Sequence, residues 1–274
     1  MKTPLRALVF AFLAAGLFAA VPFAQEAQPP AAGAAGGEIP LNALYKSLAE
    51  KNHYLVAEGL TSAMADVKCG ILDQVIAAFP EAADQPIAVK YYWTRPSEDA
   101  MPQKKFVMTG APPTLADQAT RANVIFATGQ DFVISDPVYW TIANTNAKAV
   151  QEGDQITVTG TATDPSHPIK GLKVAIKAET YQVQTVEMDL GQARVTMEST
   201  TKDLGGKWGT DTLTINHPQG RTVVKYEHAQ VDAFWLPSKV TIESLGPDGK
   251  ETQPPFVFDF SNWQVNQPLP AGIF

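Results

Sequence analysis

Apolar and polar residues alternate along a series of short segments from Ile87 onward. In one of them, Ile156 and Val158 alternate with Thr157 and Thr159. A two-residue period is typical of a β-strand with one buried face, and the Gly, Pro and Asp residues between segments are typical of hairpin turns. The segments predicted as strands are 87–93, 106–110, 123–136 (broken at Gly129), 155–164, 172–188 (two strands joined around 178–180), 193–200, 211–217, 222–231 and 238–244.

The part of the chain before these strands shows a helical period instead. Apolar residues recur at three- and four-residue spacings within 40–56, which predicts a helix there. A second, shorter helix is predicted over 71–79, where the apolar pattern ends at a proline. Because helices then precede a long run of strands, the pattern predicts an α+β fold, with a curved antiparallel sheet wrapped around N-terminal helices.

The chain ends on an apolar, proline-spaced segment, 258–274. Chain termini usually fray into solvent unless the fold holds them. We therefore expect this segment to be docked, closing one edge of the sheet and placing Leu269, Ile273 and Phe274 in the core.

The first 24 residues have the pattern of an export signal. Lys2 and Arg6 form a basic start, an apolar run follows at 8–18, and small residues place a cleavage site after Ala24. No Cys lies near this site, so a lipoprotein signal is not expected, and an uncleaved N-terminal anchor is the alternative. The expected organisation is a signal peptide at 1–24, a disordered low-complexity linker at 25–37 and one folded domain at 38–274, located in the periplasm.

Composition narrows the classes of partner. The formal net charge of the chain is -7, which argues against binding to a nucleic-acid phosphate backbone. Cys69 is the only cysteine, so the chain has no disulfide framework and its core must supply the stability. We expect Cys69 to be a small buried side chain, and a reactive thiol is the alternative.

The sequence contains no motif of catalytic or metal-binding chemistry. Its four histidines, His53, His167, His217 and His228, lie far apart along the chain, with no Cys partner at ligand spacing. Nucleophile-elbow, phosphate-loop and EF-hand motifs are also missing from the sequence. We therefore expect a binding protein that is not an enzyme and uses no cofactor or metal. We also expect it to be a monomer.

Five short motifs carry a resemblance to a known family. They are "WTRP" (93–96), "GQDFVISDP" (129–137), "KAETYQV" (177–183), "VDAFWLPSKVTIES" (231–244) and "NWQVNQPLPAGIF" (262–274). In this order and spacing, behind an export signal and a helix, the chain resembles the periplasmic outer-membrane lipoprotein carrier (LolA-like) family and its lipoprotein-sorting relatives. The resemblance covers most of the chain after Ile87.

The resemblance implies an incomplete antiparallel β-barrel, that is, a curved sheet, covered by N-terminal helices and enclosing a lipid-sized apolar cavity. It also implies a role for Arg95, which precedes Pro96 as the matching arginine does in the family. There this arginine acts as a lid latch at the cavity mouth and bonds main-chain carbonyls of the covering helices. A solvated arginine at a strand end is the alternative.

Apolar residues at alternate positions of the predicted strands are the candidates for lining this cavity. An ordinary filled core is the alternative for each of them. The candidates are Trp93, Phe106, Met108, Val124, Phe126, Phe132, Ile134, Val174, Ile176, Leu213 and Ile215.

The predicted function is that of a periplasmic carrier sheltering the acyl chains of lipoproteins or lipids in transit to the outer membrane. Burial of each methylene group contributes about 0.8 kcal/mol, so such a ligand needs only a dry and roomy pocket. Envelope transport machinery would be its other class of partner. The alternative is a non-carrier sensing or interaction module of the same fold, in an envelope-stress or envelope-biogenesis pathway.

Overall fold

A computed structural model of the 274-residue chain describes residues 37–70, 87–97, 100–111, 126–127, 129–164 and 166–274. The helical elements with assigned bounds are α1 (Leu41–Lys51), a 3₁₀ turn (Gln130–Phe132) and α2 (Val138–Ala143). The strands are β1 (Gly37–Ile39), β2 (Ser62–Cys69), β3 (Ala88–Thr94), β4 (Gln103–Thr109), β5 (Thr145–Glu152), β6 (Gln155–Ala162), β7 (Gly171–Lys177), β8 (Val183–Asp189), β9 (Arg194–Asp203), β10 (Trp208–His217), β11 (Gly220–Val231), β12 (Phe234–Leu245) and β13 (Phe256–Val265). None of the helices in these ranges has the length and hydrophobicity that a membrane span requires.

The strands form one curved antiparallel sheet in the order β1-β5-β6-β7-β8-β9-β10-β11-β12-β13-β2-β3-β4. Strands β5 to β13 are neighbours in sequence order, as expected for successive hairpins. Among the described strands, β1 and β4 each have a neighbour on one side alone, so this part of the sheet does not close on itself. The prediction of a curved antiparallel sheet with few helices is confirmed in this form.

Four strands, β1, β2, β5 and β13, were not predicted from the alternation, although the segment that contains most of β13 was expected to close an edge of the sheet. The inward positions of β2 include Ala63 and Ala65, and those of β5 include Ala147 and Ala149. Alanine has little preference for strands and contributes a weak apolar signal. Strand β2 forms between β13 and β3, and β5 pairs along its whole length with β6 and over three residues with β1, so backbone hydrogen bonds to neighbours compensate for the weak local signal.

The strand predicted over 123–136 is wrong for the described part of that segment. Residues 126, 127 and 129 are helical, the 3₁₀ turn follows, and α2 begins directly after Pro137. A short apolar run cannot be assigned to helix or strand from periodicity alone. Here Phe132, Val133 and Ile134 are consecutive and all buried, because the segment covers the sheet instead of joining it.

The N-terminal helix is confirmed, although it ends earlier than predicted. Helix α1 ends at Lys51, and Asn52 pairs with Trp208 of β10 in an isolated parallel bridge. The second predicted helix, 71–79, lies outside the described residues. The cover of the sheet in the described ranges therefore comes from α1 and from the mid-chain segment 126–143.

The C-terminal strand occupies the middle of the sheet, which corrects the prediction that it closes an edge. Strand β13 lies between β12 and β2, with Phe258 opposite Val240 on one side and Cys69 on the other. The neighbour β12 directly precedes β13 in the chain, but β2 comes from its N-terminal part, so local sequence could not reveal that β13 has a strand on both sides. Cys69 itself is buried, as predicted.

The residues after β13 are not in the core, which corrects the prediction for Leu269, Ile273 and Phe274. The first two are half-buried, and Phe274 is 48% exposed. Asn266 holds the start of this tail instead. Its Oδ1 accepts a hydrogen bond from the Thr61 backbone N–H (2.8 Å), and its own backbone N–H donates to the Ser62 carbonyl (2.8 Å).

The inner face of the sheet carries the apolar core in two clusters. The first is formed by β2–β4 and β11–β13, covered by residues 126–134. The second is formed by β5–β8, covered by α1 and α2. The outer face carries cross-strand ion pairs between exposed side chains, such as Lys90 with Asp66 (2.9 Å). Such pairs each contribute at most about 1 kcal/mol, so the inner face dominates the stability.

Candidate functional site

A partly open pocket of about 300 Å³ lies between strands β8–β11 and the covering segment that contains α2. Phe132 and Val138 of the covering segment form one wall, together with Tyr54 from the loop after α1. The volume is at the lower end of the range for small-molecule sites. The apolar side chains that the sheet contributes are Val183, Val186, Met188, Val195, Met197, Leu213 and Ile215.

The sheet wall of the pocket is a row of side chains across four neighbouring strands. Met197 of β9 stands opposite Val186 of β8 and Ile215 of β10, and Ile215 stands opposite Thr222 of β11. Residues that are directly opposite in antiparallel strands lie on the same face. Met197 and Ile215 remain partly exposed, because at this point the inner face borders the pocket and is not filled by other side chains.

Three of the predicted cavity residues, Phe132, Leu213 and Ile215, line this pocket. The others lie in the two core clusters or outside the described part of the chain. Trp93, Phe106, Phe126 and Ile134 are buried in the first cluster and Met108 packs against it, Val174 and Ile176 are buried in the second, and Val124 is outside the described residues.

The prediction missed the pocket residues of β8 and β9. Both strands were predicted, and Val186 with Met188, and Val195 with Met197, show the alternation that marks one face. That signal could have been used. It could not show that this part of the inner face is left uncovered, because that depends on where the helices end.

Three charged residues, Lys104, Asp131 and Asp136, are part of the pocket lining. Lys104 is on the inner face of edge strand β4, and its side chain is 6% exposed. Its Nζ lies 3.1 Å from Asp136 Oδ1 and 3.7 Å from Asp131 Oδ1. A buried ammonium group requires such partners, because desolvation without them is very costly. Burial raises the pKa of the Asp131 carboxyl, Lys104 opposes this, and the nearby Asp136 carboxylate adds to the increase.

Arg95, the predicted lid latch, contacts helix α2. Its guanidinium carbon lies 5.1 Å from the centre of the Trp140 ring, and its Nε–H donates to the Ala100 carbonyl (3.3 Å). Helix α2 also supplies Val138 and Thr141 to the pocket wall. Arg95 therefore connects the end of β3 to a helix that covers the pocket, through an aromatic ring. The family resemblance implied contacts with main-chain carbonyls of the covering helices, and the latch role stays a prediction.

Replacing Arg95 by Leu is expected to change the uptake or release rate of a fluorescent fatty acid several-fold while the protein still folds. A cation–π contact contributes about 0.5–2 kcal/mol, which corresponds to a several-fold change in a rate or equilibrium. Stopped-flow fluorescence measures both rates, and Arg194→Leu, at an exposed position on β9, is the matched control. Unchanged rates in Arg95→Leu would show that this arginine has no latch role.

Two histidines that are far apart in sequence meet in the fold. The ring centres of His53 and His228 are 6.4 Å apart. His53 Nδ1 lies 2.9 Å from Glu58 Oε1, and its Nε2 lies 2.6 Å from the Trp235 carbonyl oxygen. The pKa of His228 is lowered to about 4, mainly by burial and also by the nearby Lys202 and His53, while Asp211 opposes the decrease. In the described ranges no group of three or more His, Cys, Asp or Glu side chains could hold a metal ion.

No family model and no curated protein matches this chain. Solved structures do match it over most of its length. An outer membrane lipoprotein-sorting protein domain from Vibrio parahaemolyticus has a TM-score of 0.35 and 7% identity, with 84% of this chain and 94% of that chain covered. A LolA superfamily protein from Nitrosomonas europaea has a TM-score of 0.31 and 10% identity, with 86% of this chain and 97% of that chain covered.

A third structure, a DUF1329 family protein from Desulfovibrio piger, has a TM-score of 0.30 and 9% identity, with 84% of this chain and 95% of that chain covered. The first two belong to the group that the sequence motifs resemble. At these identities and TM-scores, the similarities say nothing about what this chain binds.

Proposed function

We propose that this protein is a periplasmic carrier that shelters acyl chains of lipoproteins or lipids in transit to the outer membrane. The observation that carries the proposal is the pocket between β8–β11 and α2, whose sheet wall contains partly exposed apolar side chains, among them Met197 and Ile215. The export-signal pattern at 1–24 supports the periplasmic location.

The chemistry of the wall suits a flexible apolar ligand. Met188 and Met197 are both in the wall, and methionine side chains adapt to ligands of different shape. Each methylene group transferred from water to this wall contributes about 0.8 kcal/mol. A segment of six methylenes would therefore contribute about 5 kcal/mol, which is sufficient for measurable binding without any specific polar contact.

Filling the pocket should remove this binding. In Leu213→Trp, the larger side chain is expected to occupy part of the pocket and to weaken binding of a fluorescent fatty acid at least tenfold. The matched control is Val150→Trp, because Val150 is 38% exposed and on β5, away from the pocket. Fluorescence titration measures both affinities. Equal affinities in the parent and Leu213→Trp would rule out this pocket as the acyl site.

A native mass spectrum of the protein purified from its own periplasm tests the carrier role directly. We expect adducts with masses of acyl-bearing molecules on the parent and on Val150→Trp, and their loss from Leu213→Trp. A parent protein with no adduct under gentle ionisation would contradict a carrier role and would favour a sensing or interaction module.

A further inference from the structure

The wall of the pocket carries charged groups of both signs, with more negative than positive groups. Among the described residues that line it, Lys104 carries a positive charge and Asp131 and Asp136 carry negative charges. The other titratable side chains in the lining are Tyr54 and His217. With both carboxylates ionised, the charge from the lysine and the two aspartates is -1, and the low-dielectric surroundings strengthen its effect on a ligand head group.

The positive charge of Lys104 is already engaged. Its side chain is 6% exposed, and both carboxylates lie within 4 Å of its Nζ. An anionic head group that approached it would also meet Asp131 and Asp136, the like charges on either side. The two carboxylates are more accessible to a ligand than Lys104 is, since the side chain of Asp131 is 38% exposed and that of Asp136 is 25% exposed.

One oxygen of Asp136 is out of reach of a ligand. Asp136 Oδ1 is buried and lies 3.1 Å from Lys104 Nζ. The exposed quarter of this side chain is therefore elsewhere than at Oδ1. Asp131 and this exposed part of Asp136 belong to residues of the pocket lining, and a charged donor on a ligand head group forms a stronger hydrogen bond to a carboxylate than a neutral donor does.

We infer that the pocket selects amphiphiles whose head group is an amine, which donates hydrogen bonds and carries a positive charge, over amphiphiles with a carboxylate head group. The inference rests on the proposed function, because the acyl chain of the ligand would occupy the apolar wall. It adds the chemical class of the head group, which the apolar wall does not determine. The ammonium group would lie beside Asp131 and Asp136, and the chain would lie along Met197 and Ile215.

The test is displacement of the neutral fluorescent probe N-phenyl-1-naphthylamine from the full-length mature protein at pH 7. The competitors are dodecylammonium, dodecan-1-ol and dodecanoate, each below the concentration at which it forms micelles. We expect dodecylammonium to bind at least tenfold more tightly than dodecanoate, with the alcohol between them. Equal displacement by all three would overturn the head-group inference and leave the acyl pocket standing. Displacement by none would overturn both proposals.

Two variants locate the preference. Asp136→Asn and Asp131→Asn each remove one negative charge with little change in shape, and each should reduce the ammonium-to-carboxylate ratio at least threefold. Asp259→Asn is the control, because it makes the same change in net charge on the outer face, where Asp259 is 53% exposed beside Lys239. A ratio that falls equally in Asp259→Asn would assign the preference to overall charge and overturn the inference. Two independent aspartates keep the test valid if one variant fails to fold.

Discussion

Replacing Phe258 by Ala is expected to lower the free energy of unfolding by about 3–5 kcal/mol. Phe258 is 1% exposed and its ring lies 5.5 Å from that of Phe106 and 6.3 Å from that of Phe126, between centres. A Cβ atom built on Gly129 would lie 3.1 Å from Phe258 Cζ, so the covering segment is already in close contact. Removing the ring would leave a cavity at the junction of the sheet and its cover.

The chain offers a matched control for this substitution. Phe274, the last residue, is 48% exposed, and its replacement by Ala is expected to change the free energy of unfolding by no more than about 0.5 kcal/mol. Urea unfolding followed by tryptophan fluorescence measures both changes. A loss below 1 kcal/mol in Phe258→Ala, or a similar loss in both variants, would contradict the central position of β13 in the core.

The free energy of unfolding is expected to fall by about 2 kcal/mol between pH 7 and pH 5 because of His228 alone. Burial lowers the pKa of this histidine to about 4 in the folded protein, with Lys202 and His53 adding to the effect and Asp211 opposing it. In the unfolded chain its pKa is about 6.5. The unfolded chain therefore binds more protons between these two values. The contribution of His228 to the free energy of unfolding is therefore present above pH 6.5 and is lost as the pH falls towards 4.

Replacing His228 by Gln should remove this part of the pH dependence, because glutamine does not titrate. Urea unfolding at pH 7, 6 and 5 gives the slope for each protein. Gln230→Asn, at an exposed position of β11 that does not titrate, is the control and should keep the parent slope. A parent slope that persists in His228→Gln would assign the pH dependence to other groups.

The measured range ends at pH 5 because Glu58 has its own shifted pKa. Burial raises that pKa, but contacts with His53 and Lys207 lower it by more, so the carboxylate contributes at lower pH.

The strands from β6 to β12 and helix α1 were predictable from the sequence, because their side chains alternate or recur with a clear period. Ile156 and Val158 of β6 show why this works. The period of a strand is set by its own backbone, so the face that each side chain occupies follows from local sequence. Where the inward residues are alanines, as in β2, the same local signal is too weak to detect.

The candidate site was predictable only in part. Leu213 and Ile215 were correctly placed on the inner face, but Met197, which lies opposite Ile215, was not selected. Phe106 and Trp93 were selected with equal reason, yet they are buried in a filled core. Local sequence distinguishes the inner face from the outer face. It does not show which part of the inner face the helices leave open.

By itself, the sequence determined the class of fold, the faces of most strands and the absence of a disulfide framework. Only the tertiary structure decided that β13 is central, that His53 meets His228, and that Lys104 lies between two aspartates beside the pocket. The physical reason is that strand order, and the packing of helices on a sheet, depend on contacts between residues far apart in the chain. Those contacts are selected by the burial of the whole inner face, and no single segment carries that information.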